Sequence, residues 1–428
     1  MHRDTLYKIL RPWVEYATRC HYASVTIRGQ ERLPQDGGYI IAPCHQNAMM
    51  EPLLILLLTR RPIYHICRGD IFENPSLARI FEFLKIFPIY RRRDGLKTLS
   101  RNEATFQRSR QVLVDGYPLS IMPEGQHNNR HQLLPLVKGV FRIALQTQRQ
   151  MGDTPLYIVP LGIDLDYYER PYSHAVLNIG EPIDIRQYMA AAETDEPTTL
   201  NVMRDQLTVS LKAVMHNIDS RQYYTEFADL CTILNKEERQ RLGLKNTPFN
   251  RFVARQHIAR RLDALEQAAD QTDSSSAENQ QTAADQLNTL LDLARQKRAL
   301  AESRNTTIER IAEPPTFSSR LLRIILLLAL AALLVPSLSR HIVLQLLACY
   351  PLPLIPTHLI VRHTIEDTQF RSSINFGIRL LIAIIYIIAL FITVALTQNV
   401  LYAVAAVAAS LLLARILPHL LDWFRRGL

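Results

Sequence analysis

His45 and Glu51 stand in the stretch "IAPCHQNAMMEPLLILLL", residues 41–58, just ahead of a block of leucines. Near pH 7 a neutral imidazole can take a proton from a hydroxyl, and a carboxylate at its other nitrogen would fix the tautomer and stabilise the charged ring. Residues at this separation on a regular helix point to different sides, so a loop must intervene if the two are to meet. Pro52 marks where that loop ends. Proline is favoured at the first position of a helix, which predicts a helix from Pro52 through Leu58 with Glu51 at or beside its cap, in the field of the positive helix end. The apolar run "YIIAP", Tyr39–Pro43, predicts a strand ending just before His45. The alternative is a surface histidine and a capping glutamate that never touch.

Three further blocks carry candidate chemistry. "FPIYRRRDG" ends a short strand in Arg91, Arg92 and Arg93; such a run is either a solvated face or, at a strand exit, a bidentate clamp for phosphate. "SIMPEGQHNNR" ends a strand in Pro123, Glu124 and Gly125, which alone reads as a turn. "IVPLGIDLDYY" places Pro160 at the end of an apolar strand. Cys44 adjoins His45, but neighbours leaving a strand point apart, so no nucleophilic role is expected of it. A rival reading makes "HNNRH" a metal centre of a hydrolase, with His127 and His131 joined by His45, His65 or an acid. The segment resembles a loop and lacks a His-Glu-x-x-His pattern, so no metal is expected.

The elements that must hold these residues alternate. "ASVTIRG", "YIIAP", "PIYHICRG", "FPIYRR", "PLSIMPEG", "LYIVPLGIDL" and "HAVLNIGEPI" are β-like runs separated by helical stretches, which predicts an α/β domain over 1–218. A polar helical region follows over 219–312, with a hairpin tip or flexible loop at "DQTDSSSAENQQTAADQ". Pro314 and Pro315 open a third region, 313–428. It contains "LLRIILLLALAALLVPSL", "HIVLQLLACYPLPLIPTHLIV", "LLIAIIYIIALFITVAL" and "VLYAVAAVAASLLLARILPHLL", each close to the ~20 residues a bilayer helix requires. About four transmembrane helices are expected. Of the first two, one carries Arg323 and the other Gln345 and several prolines, so one of them could be re-entrant. The competing reading is a buried helical hairpin of a soluble domain.

Charge orients this anchor. If all four segments span, one side holds Arg320, Arg323, Arg362, Arg371, Arg379, Arg425 and Arg426, and the other only Arg340. The positive-inside rule then places the N-terminal domain in the cytoplasm. "MHRDTLYKILRPWVEYATRC" lacks the apolar core and cleavage site of a secretory signal and reads as an amphipathic helix at a membrane surface. Five scattered cysteines suit a reducing compartment and no structural zinc. The net charge of +9 fits an anionic lipid or a phosphorylated substrate. Basic residues interleaved with stacking aromatics are missing, so no nucleic acid is expected as a partner.

Taken in order, the four blocks resemble the glycerolipid acyltransferase family, which includes glycerol-3-phosphate and 1-acylglycerol-3-phosphate O-acyltransferases. The resemblance covers roughly the first 220 residues. It rests on His45, Glu51, Pro52 and Leu53; on Tyr90 and Arg91; on Pro123, Glu124 and Gly125; on Pro160; and on "LVKGVFRIAL" after the third block. Most members have four residues between the histidine and an aspartate; here there are five and a glutamate, a spacing similar to that of a membrane-integral branch with fungal glycerol-3-phosphate and dihydroxyacetone-phosphate acyltransferases. The usual Thr-Arg of the third block is replaced by Gln126 and His127, with Arg130 a substitute for the arginine.

The resemblance implies a mixed sheet flanked by helices and a fatty acyl transfer in phospholipid biosynthesis. The donor is expected to be acyl-CoA or acyl carrier protein, the acceptor a phosphorylated glycerol, and membrane lipids the surroundings. It makes His45 the base and Glu51 its partner, and assigns the acceptor pocket to Arg91, Glu124, Gly125, Gln126, Arg130 and Pro160. No cofactor beyond the acyl co-substrate is implied. The alternatives are an acyltransferase acting on another lyso-lipid and a non-catalytic membrane scaffold retaining the fold.

Overall fold

The computed structural model of the chain describes residues 2–46, 49–90, 102–126, 128–167, 171–270 and 277–314, and in the C-terminal region 324–325, 357, 361, 363–365 and 368–425. These fall into two compact units: Met1–Glu15, Thr26–Asp164 and Val176–Asp219 form the first, and Tyr16–Val25, Leu165–Ala175 and Ser220–Leu428 the second.

A single mixed sheet organises the first unit. Its strands are β1 (Ser24–Arg28), β2 (Tyr39–Pro43), β3 (Tyr64–Arg68), β4 (Ile86–Ile89), β5 (Leu119–Ser120), β6 (Tyr157–Leu165), β7 (His174–Ile179) and β8 (Ile183–Asp184). They lie in the order β1-β7-β6-β2-β5-β3-β4, with β8 paired to β6. The central pairs β2–β6, β2–β5, β3–β5 and β3–β4 are parallel, and β8 runs antiparallel to β6. A parallel strand covered on both faces needs apolar side chains at successive positions rather than alternation, which is why all of "YIIAP" is buried. Helices flank this sheet. Gly139–Met151 buries Val140, Phe141, Ile143, Ala144 and Leu145. Glu196–Val214 starts at Asp195, whose side chain accepts the Thr198 N–H, with Pro197 in the first turn.

The helix after His45 spans Met50–Ile55 and tightens into a 3-10 turn over Leu56–Leu58. It therefore begins before the Pro52 start expected from sequence, and Glu51 sits inside the first turn rather than at the cap. Proline is still tolerated there, because the first N–H groups of a helix have no intrahelical acceptor. At the other end the buried Arg11 donates to the carbonyls of Leu56, Thr59, Arg60 and Arg61. Its bond to the Leu56 carbonyl offsets the negative helix end, and its bonds to Thr59, Arg60 and Arg61 hold the chain that leaves the helix carrying Glu51.

The second unit is helical among its described residues beyond Ser220. Tyr224–Ile233, Asn235–Arg241, Pro248–Asp270, Ala277–Ser303 and Ile308–Ala312 are joined by ion pairs such as Arg298 to Asp229, 2.8 Å at both contacts. Residues 271–276, within the expected hairpin tip, lie outside the described residues. Two helices, Phe370–Thr397 and Val400–Trp423, are long and apolar enough to cross a membrane. They meet through Leu390, Val394, Ala403 and Ala406, the alanines allowing close approach. Leu381, Ile385, Leu396 and Leu401 are more than half exposed, unlike the core of a soluble hairpin. The other two expected spans, over 321–338 and 341–361, fall almost entirely outside the described residues.

Candidate functional site

His45 leaves the C-terminal end of β2, and Glu51 enters from the helix that follows. They meet: His45 Nδ1 lies 2.6 Å from Glu51 Oε2, and the Glu51 side chain is fully buried. The other carboxylate oxygen, Oε1, accepts the Gln46 N–H at 2.7 Å. With both oxygens engaged, the glutamate cannot swing away, and a proton on Nδ1 donates to it. With Nδ1 committed to Glu51, any proton exchange by the ring has to run through Nε2. The longer glutamate and the longer spacing thus give a close contact. Burial pulls the proton affinity of His45 down, but the Glu51 charge and hydrogen bond, then Glu124, outweigh it and leave the imidazole above its ordinary value.

Strand order explains why the third block reaches this pair. β5 is the parallel neighbour of β2, so both strands deliver their following loops to the same sheet edge. Glu124, just beyond β5, is buried and accepts the His45 N–H through Oε1 at 2.7 Å and the Leu134 N–H through Oε2 at 2.8 Å. Its carboxylate braces two backbones against each other. Burial raises its pKa and the Leu134 and His45 amides oppose the rise, with a net value of about 7. Gly125 has φ +66°, a left-handed conformation suited to glycine, and closes the turn. Gln126 and Arg130 are exposed. The Arg130 carbonyl accepts from the Gln46 side chain at 3.2 Å, which ties the loop to the residue after His45. Pro160 is buried in β6, in register with Ala42 of β2.

The second block stands apart. β4 lies beyond β5 and β3, three strand spacings from β2 or about 14 Å. Tyr90 is fixed there by Asn102, which accepts its N–H at 2.8 Å and donates to its carbonyl at 2.7 Å. Gly69 leaves room for the Tyr90 ring, which lies 2.4 Å from where a Cβ would be. Arg91, Arg92 and Arg93 lie outside the described residues, as does His127. Cys44 is fully buried, its sulfur between the Ile163 N–H and carbonyl, and burial pushes its thiol well up. Sequence reasoning passed over Gln46 and Arg11. Nothing in their local pattern marks them, since both act through backbone groups that only the fold brings near.

Residues 24–164, from β1 to the penultimate residue of β6, match the family described as Acyltransferase. The chain carries an acyltransferase-family domain. Both His45 and Glu51, and the brace at Glu124, lie within it. The chain is similar to an uncharacterized acyltransferase of Schizosaccharomyces pombe, 38% identical over 76 residues, 18% of this chain and 11% of that one. It is 30% identical over 96 residues to the glycerol-3-phosphate O-acyltransferase 1 of Saccharomyces cerevisiae, 22% of this chain and 13% of the relative. The 1-acyl-sn-glycerol-3-phosphate acyltransferase of Bacillus subtilis is 24% identical over 203 residues, 46% of this chain and 90% of the relative. The chain thus spans only 11% and 13% of the length of the two fungal relatives. Among solved structures, the 1-acyl-sn-glycerophosphate acyltransferase of Thermotoga maritima is 19% identical, with a TM-score of 0.36 over 49% of this chain and 81% of the other.

Proposed function

We propose that the chain is a membrane-integral O-acyltransferase of phospholipid biosynthesis, which moves a fatty acyl group from acyl-CoA or acyl carrier protein to glycerol-3-phosphate or 1-acylglycerol-3-phosphate. The observation that carries this reading is the 2.6 Å contact between His45 Nδ1 and the fully buried Glu51. In the proposed reaction His45 Nε2 takes the proton of the acceptor hydroxyl, and the freed oxygen attacks the thioester carbonyl. The tetrahedral intermediate collapses with loss of the thiolate, which receives the proton from the imidazolium. Glu51 stabilises the charged ring meanwhile. No covalent enzyme intermediate is required, in keeping with a buried, protonated Cys44.

The acceptor phosphate is assigned to the arginines. Arg130 lies on the loop after β5 that is tied to Gln46, and Arg91 comes two residues after β4 in the sequence. Glu124 acts in this scheme as a positioning residue for His45, and Gly125 and Gln126 supply the exposed rim of the pocket. The names of the yeast and Bacillus relatives support the two acceptors. The arginine asymmetry of the C-terminal region supports a cytoplasmic catalytic face, with the apolar helices as a multi-pass anchor.

The test is an acceptor panel. Purified full-length protein is incubated with acyl-CoA or acyl carrier protein against glycerol-3-phosphate, its 1-acyl form, dihydroxyacetone phosphate and lyso-aminolipids, and products are identified by mass. His45→Ala should lower the rate by at least the ~100-fold typical of losing a general base. A folded His45→Ala protein with full transferase activity would refute the assignment.

A further inference from the structure

Three residues that the proposed chemistry does not use converge elsewhere in the first unit. His131, Asp164 and His216 each bring a ligand-type atom to within 4.8 Å of the others. Asp164 Oδ1 lies 3.8 Å from Nδ1 of His131 and 3.8 Å from Nδ1 of His216, and the two rings are 4.2 Å apart between centroids. Asp164 and His216 are each 2% exposed, whereas the His131 side chain is 20% exposed. We propose that these side chains form a divalent transition-metal site, with zinc as its natural occupant, that clasps the loop carrying Glu124 and Arg130 onto β6.

The segments are built to meet here. Gly162 precedes Asp164 on the same face of β6, and a Cβ on it would sit 2.1 Å from the Val214 carbonyl oxygen. Only glycine lets the chain leading to His216 press so closely on that strand. From the other side, the His131 carbonyl accepts the Ile218 N–H at 2.7 Å, and the Leu133 N–H donates to the Asn217 side chain at 2.8 Å. Backbone contacts on both sides therefore fix the histidines against the aspartate.

The donor chemistry selects the ligand. Two imidazole nitrogens and one carboxylate oxygen are the three-residue set of many zinc sites, which keep a further position for water. Donors around a tetrahedral zinc with bonds of about 2.0–2.1 Å lie about 3.4 Å apart. The 3.8 Å separations are too long for direct nitrogen-to-oxygen hydrogen bonds and need a few tenths of an ångström to close on an ion, while the full set, spread within 4.8 Å, has to draw in further on the histidine side. The competing account is a metal-free polar cluster.

Metal content distinguishes the two without reference to activity. Full-length protein in detergent is stripped with chelator and titrated with zinc alone; bound zinc is counted by elemental analysis, and cobalt is substituted to read its visible absorption. The expected result is about one zinc per chain, with a zinc-dependent rise in melting temperature. His131→Ala, at the least buried position, should melt with the stripped wild type in chelator, bind zinc at least ~10-fold more weakly and lose the zinc-dependent rise. Asp164→Asn and His216→Ala should weaken binding in the same way. Wild-type zinc at background, or zinc that stays bound in all three variants, overturns the proposal.

Discussion

At the scale of the residue, the decisive feature is the use made of Glu51. Its oxygens hold His45 Nδ1 and the Gln46 N–H at once, so its charge and its shape do separate work. Glu51→Gln keeps the shape but removes the charge that steadies the imidazolium, and turnover should fall by about 100-fold or more with the fold retained. Glu51→Asp should be milder; a fully active Glu51→Gln protein would reduce the contact to a helix-end interaction. The pH profile supplies a second reading. In the proposed reaction the base works in its neutral form, and burial, which lowers the His45 pKa, is outweighed by Glu51 and Glu124, which raise it. The acid limb of the wild-type rate profile should therefore lie above pH ~6.5, the unperturbed imidazole value. In Glu51→Gln the main raising cause is gone while burial remains, so the limb of whatever activity survives should move to lower pH. A limb that stays in place would mean that the titrating group is not His45.

At the scale of the element, the site is a property of neighbouring parallel strands. β2 and β5 are distant in sequence but adjacent in the sheet, so the histidine after one and the glutamate after the other share an edge. Glu124 makes that adjacency rigid by accepting backbone N–H groups from both sides. An amide cannot do this, since one of its terminal atoms is a donor. Glu124→Gln should leave a buried N–H without its acceptor and cost about 1–3 kcal/mol, measurable as a lower denaturation midpoint, with a fall in kcat as His45 loosens. Unchanged stability and turnover would remove Glu124 from the positioning role. The turn read from Pro123 and Gly125 was legible locally, because those residue types punctuate chains. Its use as a brace was not, because Leu134 N–H and His45 N–H become its partners only after the strands pair.

At the scale of the whole molecule, two helices are long and apolar enough to cross a membrane. The two long C-terminal helices expose leucines and isoleucines along their length, and the N-terminal helix, His2–His21, exposes Leu6, Ile9, Leu10 and Trp13, which recur at helical spacing on one face. Each such side chain gains about 1.5–3 kcal/mol when withdrawn from water, so this face is suited to a bilayer surface. In the proposed scheme it keeps the catalytic unit beside its lipid acceptor and product. Replacing Leu6, Ile9, Leu10 and Trp13 with serine should lower activity towards 1-acylglycerol-3-phosphate in vesicles by about tenfold or more, while activity towards water-soluble glycerol-3-phosphate changes little. Equal loss on both acceptors, measured on one preparation, would mean that this face supports the fold instead. The two long apolar helices near the C-terminus were readable from composition alone, since a membrane helix needs a long uninterrupted apolar run.

The sequence by itself determined the periodicities and the local punctuation: β2 from Tyr39–Pro43, the apolar helices near the C-terminus, and a histidine, an acid and a Pro-Glu-Gly turn in order. These depend on residues close together in the chain. Tertiary structure alone decided that Glu51 sits inside its helix and reaches back to His45, that Glu124 faces two amides, and that Arg11 closes the helix end. It also brought His131 to Asp164 and His216. Such contacts join segments far apart in sequence, and their geometry is fixed by strand order and by a close approach at Gly162, neither of which leaves a periodic trace in the chain.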